Sequence, residues 1–146
     1  APTSMAEPEA VASTEFPGGT ASLLIVDDEE SLRSLLAASL SQKGYHALTA
    51  ASGLEAIELI SDPARHFDAV VLDLNMPGAS GVDVLKIIRL CRPKLRVMVI
   101  SGHLTSSARA EIERLGQPVM IEKPYRLDEV GRNLRQLLDT RPATGS

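Results

Sequence analysis

The amino-acid sequence predicts an α/β fold in which helices cover both faces of a parallel sheet. Three observations predict it. Short apolar runs recur without polar alternation, which is typical of strands buried on both faces. Each run is followed by apolar residues at helical spacing, so that strands and helices alternate five times. The 146 residues also have the length of one domain with a single core.

The first two units lie between residues 22 and 62. The apolar run Ser22–Val26 is predicted as a buried strand. A leucine stripe from residue 32 to residue 40 predicts the helix that follows, and Gly44 is a stop signal for it. A weaker strand is predicted at Tyr45–Ala50. Apolar residues at 54, 57 and 60 indicate a second helix, which Asp62 and Pro63 end.

The remaining three units follow the same alternation. Their predicted strands are Ala69–Leu72, Arg96–Ile100 and Pro118–Ile121. Their helices are predicted from about Gly81 to Cys91, along a narrow apolar stripe from residue 104 to residue 115, and along an amphipathic stretch from residue 127 to residue 138. Right-handed crossovers then bring the carboxyl ends of all the strands to one edge of the sheet.

Composition and charge exclude several functional classes. The chain carries 15 Lys and Arg against 19 Asp and Glu, a net charge of −4, which does not suggest a basic face for nucleic acid. No apolar run approaches the ~20 residues of a membrane span. The single cysteine, Cys91, excludes a disulfide framework and a cysteine-rich zinc site. We therefore expect no DNA contact by this chain and no membrane, with a cytoplasmic location.

The two ends of the chain are predicted to be tails. Residues 1–21 are rich in Ala, Pro, Glu, Ser and Thr and lack an apolar period, so they are predicted as a disordered tail or linker. Residues 140–146 are predicted as a short C-terminal tail. The folded domain is expected to span residues 22–139. Because only a few residues follow the last predicted helix, we expect no DNA-binding domain after it.

Chemically active residue types follow the strands at the predicted carboxyl edge. Asp27 and Asp28 follow the first strand, Asp73 the third, Ser101 the fourth and Lys123 comes soon after the fifth. Clustered carboxylates repel one another, which raises their proton affinity or recruits a cation, and oxygen ligands without His or Cys favour Mg²⁺. Such a metal with a lysine beside an aspartate suits phosphoryl transfer, with Asp73 as the nucleophile.

Each of these residues also has an ordinary structural interpretation. Asp28 could be the N-cap of the helix that follows it. Asp73 could initiate a turn, and Lys123 could be a solvated surface charge. Their joint arrival at one edge favours the functional interpretation.

Four segments resemble the receiver domain of two-component response regulators, of the chemotaxis-receiver type. They are LLIVDDEESLRSLL, VVLDLNMPGASGVDVL, VMVISGH and VMIEKPY, and the resemblance runs from about residue 23 to residue 138. It implies a flavodoxin-like (βα)5 fold, a doubly wound parallel five-stranded sheet of order 2-1-3-4-5.

The resemblance also implies roles for individual residues. Asp73 would take a phosphoryl group from a phosphohistidine of a sensor histidine kinase or a histidine phosphotransfer domain. Asp27, Asp28 and Asp73, with the backbone carbonyl of Asn75, would bind Mg²⁺. Ser101 and Lys123 would contact the phosphoryl group, and the peptide bond before Pro124 would be cis.

One residue departs from the commonest pattern of the family, and two others are expected to affect the lifetime of the phosphorylated state. Met120 stands where the family often has Tyr or Phe, so this chain lacks the ring that usually couples to Ser101, although a flexible Met could repack in a similar space. Asn75 and His103 occupy the positions that flank the phosphoryl group, and we expect them to tune hydrolysis of the modified Asp73.

The leading interpretation is a phosphorylation-dependent switch rather than a turnover enzyme, monomeric or weakly dimeric. It would be the terminal receiver of a hybrid histidine kinase or a freestanding adaptor. The first alternative is an aspartyl-phosphate phosphatase of the haloacid-dehalogenase type, but these carry a second acid where this chain has Asn75. The second alternative is a degenerate receiver used only for docking, which the filled phosphorylation positions argue against.

Overall fold

The computed structural model describes residues 15–76, 81–116 and 118–139, and within them five strands alternate with five helices. In chain order they are β1 (Ser22–Val26), α1 (Glu30–Gln42), β2 (His46–Ala50), α2 (Gly53–Ser61), β3 (Ala69–Asp73), α3 (Gly81–Cys91), β4 (Arg96–Ser101), α4 (Ser106–Arg114), β5 (Val119–Glu122) and α5 (Leu127–Asp139). The predicted alternation is confirmed, and the predicted strand ends differ from the observed ones by one residue or none.

The five strands form one parallel sheet of order β2-β1-β3-β4-β5. This is the flavodoxin-like order, and the predicted fold class is confirmed. The chain leaves β1 toward one edge of the sheet and returns to pair β3 on the other side of β1. Strand order therefore reverses between β1 and β3, which is the place where sheets of this type bind ligands.

The central strands are buried on both faces of the sheet. All five residues of β3 are buried, as are the last four of β1. Alternate side chains enter two apolar cores, one containing residues of α1 and α5 and the other residues of α2, α3 and α4. Two covered faces explain why these strands are continuous apolar runs in the sequence.

The structure differs from the predicted N-terminal tail in residues 15–21. Phe16 is only 8% exposed and belongs to the core that α1 and α5 share. A single aromatic side chain gives no periodic signal, which is why the composition of the segment indicated disorder. Residues 1–14 and 140–146 lie outside the described residues, and the domain limits 22–139 stay a prediction.

The predicted cap of the first helix is also different. Glu29, not Asp28, occupies the N-cap position of α1, and its side chain makes no cap hydrogen bond. The chain continues for two residues past β1 before it turns into the helix, so Asp28 stays in the loop at the edge of the sheet. Along the described ranges, the helices are too short or too polar to cross a membrane.

Candidate functional site

Three aspartates meet at the carboxyl ends of β1 and β3. Asp27 and Asp28 directly follow β1, and Asp73 is the last residue of the neighbouring β3. Each can place a carboxylate oxygen within 4.8 Å of the other two. Asp27 and Asp73 are buried, at 6% and 2% exposure, whereas Asp28 is exposed at the mouth. The strand order thus brings together the three acids that the sequence predicted.

Backbone amides fix one carboxylate oxygen of each buried acid. The amide of Glu29 donates to Oδ1 of Asp27, and the amide of Asn75 donates to Oδ1 of Asp73, each at 2.9 Å. In both cases the donor lies two residues after the acceptor, so the turn that ends the strand also orients the side chain. The Arg33 guanidinium donates to the backbone carbonyl of Asp27 at 2.8 Å, which ties α1 to this turn.

Lys123 supplies the positive charge beside these acids. Its Nζ lies 3.2 Å from Oδ2 of Asp73, and its side chain is 18% exposed. The amide of Lys123 donates to the carbonyl of Ser101 at 2.9 Å, so β4 sets where the lysine leaves β5. The peptide bond from Lys123 to Pro124 is cis, which agrees with the expectation from the resemblance.

The charges of this cluster do not balance. The pKa of the Asp27 carboxyl is raised from 3.8 to about 6, mainly by burial and also by the nearby charge of Asp73, against the opposing pull of the Glu29 amide and Lys123. Three carboxylates and one ammonium leave two negative charges when all are ionised. A divalent cation would neutralise them, and oxygen atoms are the donors that Mg²⁺ prefers. The donor set therefore fits a hard divalent ion.

Asp28 does not have the structural role that an isolated aspartate before a helix would have. Because Glu29 is the N-cap of α1, the interpretation of Asp28 as a helix cap is wrong. Its exposed carboxylate instead lies beside Asp27 and Asp73.

The side chain of Asn75 connects two loops at the mouth of the cluster. The amide of Gly102 donates to Oδ1 of Asn75 at 2.6 Å, and Nδ2 of Asn75 donates to the carbonyl of His103 at 3.5 Å. The loop after β3 is thereby joined to the loop after β4. His103 is exposed on that second loop. Sequence reasoning placed Asn75 near the site but gave no signal for this bridge, because loop contacts depend on how β3 and β4 are paired.

Ser101 and Met120 border an open cavity next to Lys123. Ser101 is buried at the end of β4, and Met120 is partly buried on β5. The cavity measures about 520 Å³ and is also lined by Arg109, Glu122 and Lys123. The cavity therefore leaves space beside Met120, the position where the family often has an aromatic ring.

A family model of known proteins matches most of the chain. The family model described as the response regulator receiver domain matches residues 23–135, which include all the site residues above. The chain belongs to the response regulator receiver family. It is a receiver domain of two-component signalling, and response regulators are among its relatives.

Two relatives are several times longer than this chain. It is 37% identical over 110 residues to an NtrX-like response regulator of Rickettsia conorii, an alignment with 74% of this chain and 23% of that protein. It is 27% identical over 139 residues to the sensor kinase CckA of Brucella abortus, with 95% of this chain and 15% of the kinase aligned. The chain thus spans about a quarter or less of the length of these relatives.

A solved structure shows the same fold. The CheY-like receiver domain from Methanospirillum hungatei superposes with a TM-score of 0.78 at 21% identity, over 83% of this chain and 95% of that one.

Proposed function

We propose that Asp73 is the phosphoacceptor of this receiver domain and that it works with Mg²⁺. The observation that carries the proposal is the contact of a buried aspartate with two further carboxylates and with the Nζ of Lys123. Asp27, Asp28 and Asp73 would hold the cation together with the backbone carbonyl of Asn75. When bound, Mg²⁺ supplies positive charge to the oxygens of the transferring group.

The residues of the chain would divide the remaining work. A carboxylate oxygen of Asp73 attacks the phosphorus of a phosphohistidine, the P–N bond breaks, and the imidazole nitrogen leaves with the electron pair. The Asn75 amide keeps Asp73 oriented through Oδ1. Lys123 neutralises charge on the phosphoryl oxygens, and Ser101 contributes a hydroxyl. These residues would mainly position the reacting groups and neutralise charge, which is what phosphoryl transfer needs.

We infer a switch rather than a turnover enzyme. The phosphatase alternative needs a second acid two residues after the nucleophile, and the amide of Asn75 is too weak an acid to protonate a leaving group. Its side chain instead bridges to Gly102 and His103. A modified Asp73 would draw Ser101 toward it, and Met120 would repack into the neighbouring cavity. Asn75 and His103, which lie over the mouth of the site, would set how fast water hydrolyses the acyl phosphate.

We propose a sensor histidine kinase or a histidine phosphotransfer domain as the phosphoryl donor. The alignment with the kinase CckA includes 95% of this chain, which is compatible with the terminal receiver of a hybrid kinase, and a freestanding adaptor is the alternative. A cytoplasmic location, a monomeric or weakly dimeric state and the lack of a DNA contact belong to the same proposal.

Chemical trapping of the modified residue tests the proposal. The chain is incubated with Mg²⁺ and acetyl phosphate, reduced with borohydride to convert an acyl phosphate to an alcohol, digested and sequenced by mass spectrometry. We expect reduction at Asp73 alone, and none in Asp73→Asn. Asp83→Asn, which alters an exposed aspartate on α3, is the matched control and should be modified like the unaltered chain. Reduction at another acid, or none in the unaltered chain, would refute the assignment.

A further inference from the structure

Residues 15–21 run along the amino-terminal edge of the domain, opposite the site at Asp73. Their most buried side chain is Phe16, which lies in the core that α1 and α5 share. The Nζ of Lys43, at the C-terminal end of α1, lies 5.0 Å from the centre of the Phe16 ring. At this distance a cation is attracted to the face of an aromatic ring. The ring therefore contacts both helices.

A glycine of α5 makes the space for this ring. A Cβ atom added at Gly131 would overlap the ring atoms of Phe16. Glycine inside a helix lowers helix stability relative to alanine, so its presence here has a local cost. The ring of Phe16 occupies the volume that a side chain at residue 131 would otherwise fill.

The two glycines after Pro17 permit an equally close approach of the backbone. A Cβ at Gly18 would overlap the carbonyl of Lys43, and one at Gly19 would lie 2.7 Å from the guanidinium of Arg135 and 2.8 Å from the ring of Tyr45. Side chains at either position would push the segment away from the domain.

Hydrogen bonds fasten the same segment along its length. The amide of Gly19 donates to the carbonyl of Lys43 at 3.1 Å, and Arg135 donates to the carbonyl of Gly18 at 3.2 Å. The amide of His46 donates to the carbonyl of Ala21 at 3.0 Å. The contacts thus involve α1, α5 and the start of β2.

We propose that Gly131, Lys43 and Arg135 form a docking site for a segment of the type Phe-Pro-Gly-Gly, and that residues 15–21 of the same chain occupy it. We call this site the Phe16 socket. Its occupant joins the carboxyl-terminal end of α1 to α5. The face that α1 and α5 form toward their carboxyl-terminal ends is consequently covered in part by residues of the same chain. The inference rests on packing and does not depend on the chemistry at Asp73.

The substitution Gly131→Ala tests the socket through the sign of its effect. In the unaltered chain the new methyl group displaces Phe16, so we expect the melting temperature to fall by on the order of 5 °C. With Phe16→Ala already present the socket is empty, and Gly131→Ala should raise the melting temperature by a few degrees through helix propensity. Thr20→Ala, at an exposed position of the segment, should have little effect. A stabilising effect of Gly131→Ala in both backgrounds would overturn the proposal.

Two further measurements complete the test. Hydrogen exchange should show protection of the amides of Gly19 and His46, and exchange at the rate of an unstructured chain would overturn the proposal. Sedimentation should give the same molecular mass for the unaltered chain as for Phe16→Ala at equal protein concentration. Dimers that dissociate in Phe16→Ala would show that the segment comes from a second copy, which would overturn its assignment to the same chain.

Discussion

The folded domain disfavours ionisation of the Asp27 carboxyl. It is buried beside Asp73, and the pKa of its carboxyl lies near 6 rather than 3.8. Below pH 3.8 the group is protonated whether or not the chain is folded. As the pH rises toward 6 the unfolded chain ionises first, so the folded state loses stability. Above pH 6 the full penalty, about 3 kcal/mol, is present when no cation is bound.

The substitution Asp27→Asn is expected to stabilise the metal-free domain. Asparagine keeps an Oδ1 acceptor for the Glu29 amide but removes the charge that Asp73 repels. We expect a gain of up to about 3 kcal/mol in the free energy of unfolding at pH 7.5 and a much smaller gain at pH 4. Urea denaturation in EDTA at both pH values measures the difference. An equal gain at both values would contradict the raised pKa of Asp27.

The contact between Lys123 and Asp73 is expected to stabilise the metal-free domain. The two side chains lie 3.2 Å apart and both are largely buried, so removal of Lys123 leaves the Asp73 carboxylate without its nearby cation. Single substitutions Lys123→Ala and Asp73→Asn and their combination form a double-mutant cycle. We expect a favourable coupling of about 1 to 3 kcal/mol in urea denaturation. A coupling near zero would mean that the two charges are screened from each other.

At the scale of helices and strands, the sequence was most informative where burial is two-sided. The continuous apolar runs of β1, β3 and β4 predicted these strands because no other local structure buries such runs as well. The ends of the strands predicted the site, since parallel pairing brings them to one edge. The segment around Phe16 was missed because a single aromatic residue and two glycines carry no periodicity. The Asn75 bridge was missed because it depends on tertiary contacts between two loops.

Helix α4 is expected to open more easily than its neighbours. Within the described part of the chain, Ile112 is its one buried side chain. The hydroxyl of Thr105 caps the helix by accepting from the amide of Ala108 at 3.1 Å. Thr105→Ala should remove about 1 kcal/mol of helix stability. Amide exchange in α4 should then accelerate about 5-fold.

Hydrogen exchange read by mass spectrometry checks this expectation peptide by peptide. Ser52→Ala, which removes the corresponding cap of α2, is a matched control because Ser52 accepts from the amide of Glu55 in the same way. It should leave the exchange of α4 unchanged. Unaltered exchange of α4 in Thr105→Ala would show that the cap does not hold the helix.

For the whole molecule, binding of a cation at the strand reversal should stabilise the fold. A ligand that binds only the folded chain adds about 1.4 kcal/mol at ten times its dissociation constant. We therefore expect Mg²⁺ to raise the melting temperature at pH 7.5 and to raise it less at pH 5, where Asp27 holds its proton. Sodium chloride at equal ionic strength is the control. An equal shift from both salts would indicate screening rather than a site.

Phosphoryl incorporation at Asp73 is expected to depend on Mg²⁺. The initial rate of mass gain from acetyl phosphate is measured as the Mg²⁺ concentration is increased. We expect a rate that saturates with Mg²⁺, disappears in EDTA and is absent from Asp73→Asn at every concentration. Incorporation that persists in EDTA, or in Asp73→Asn, would contradict this expectation.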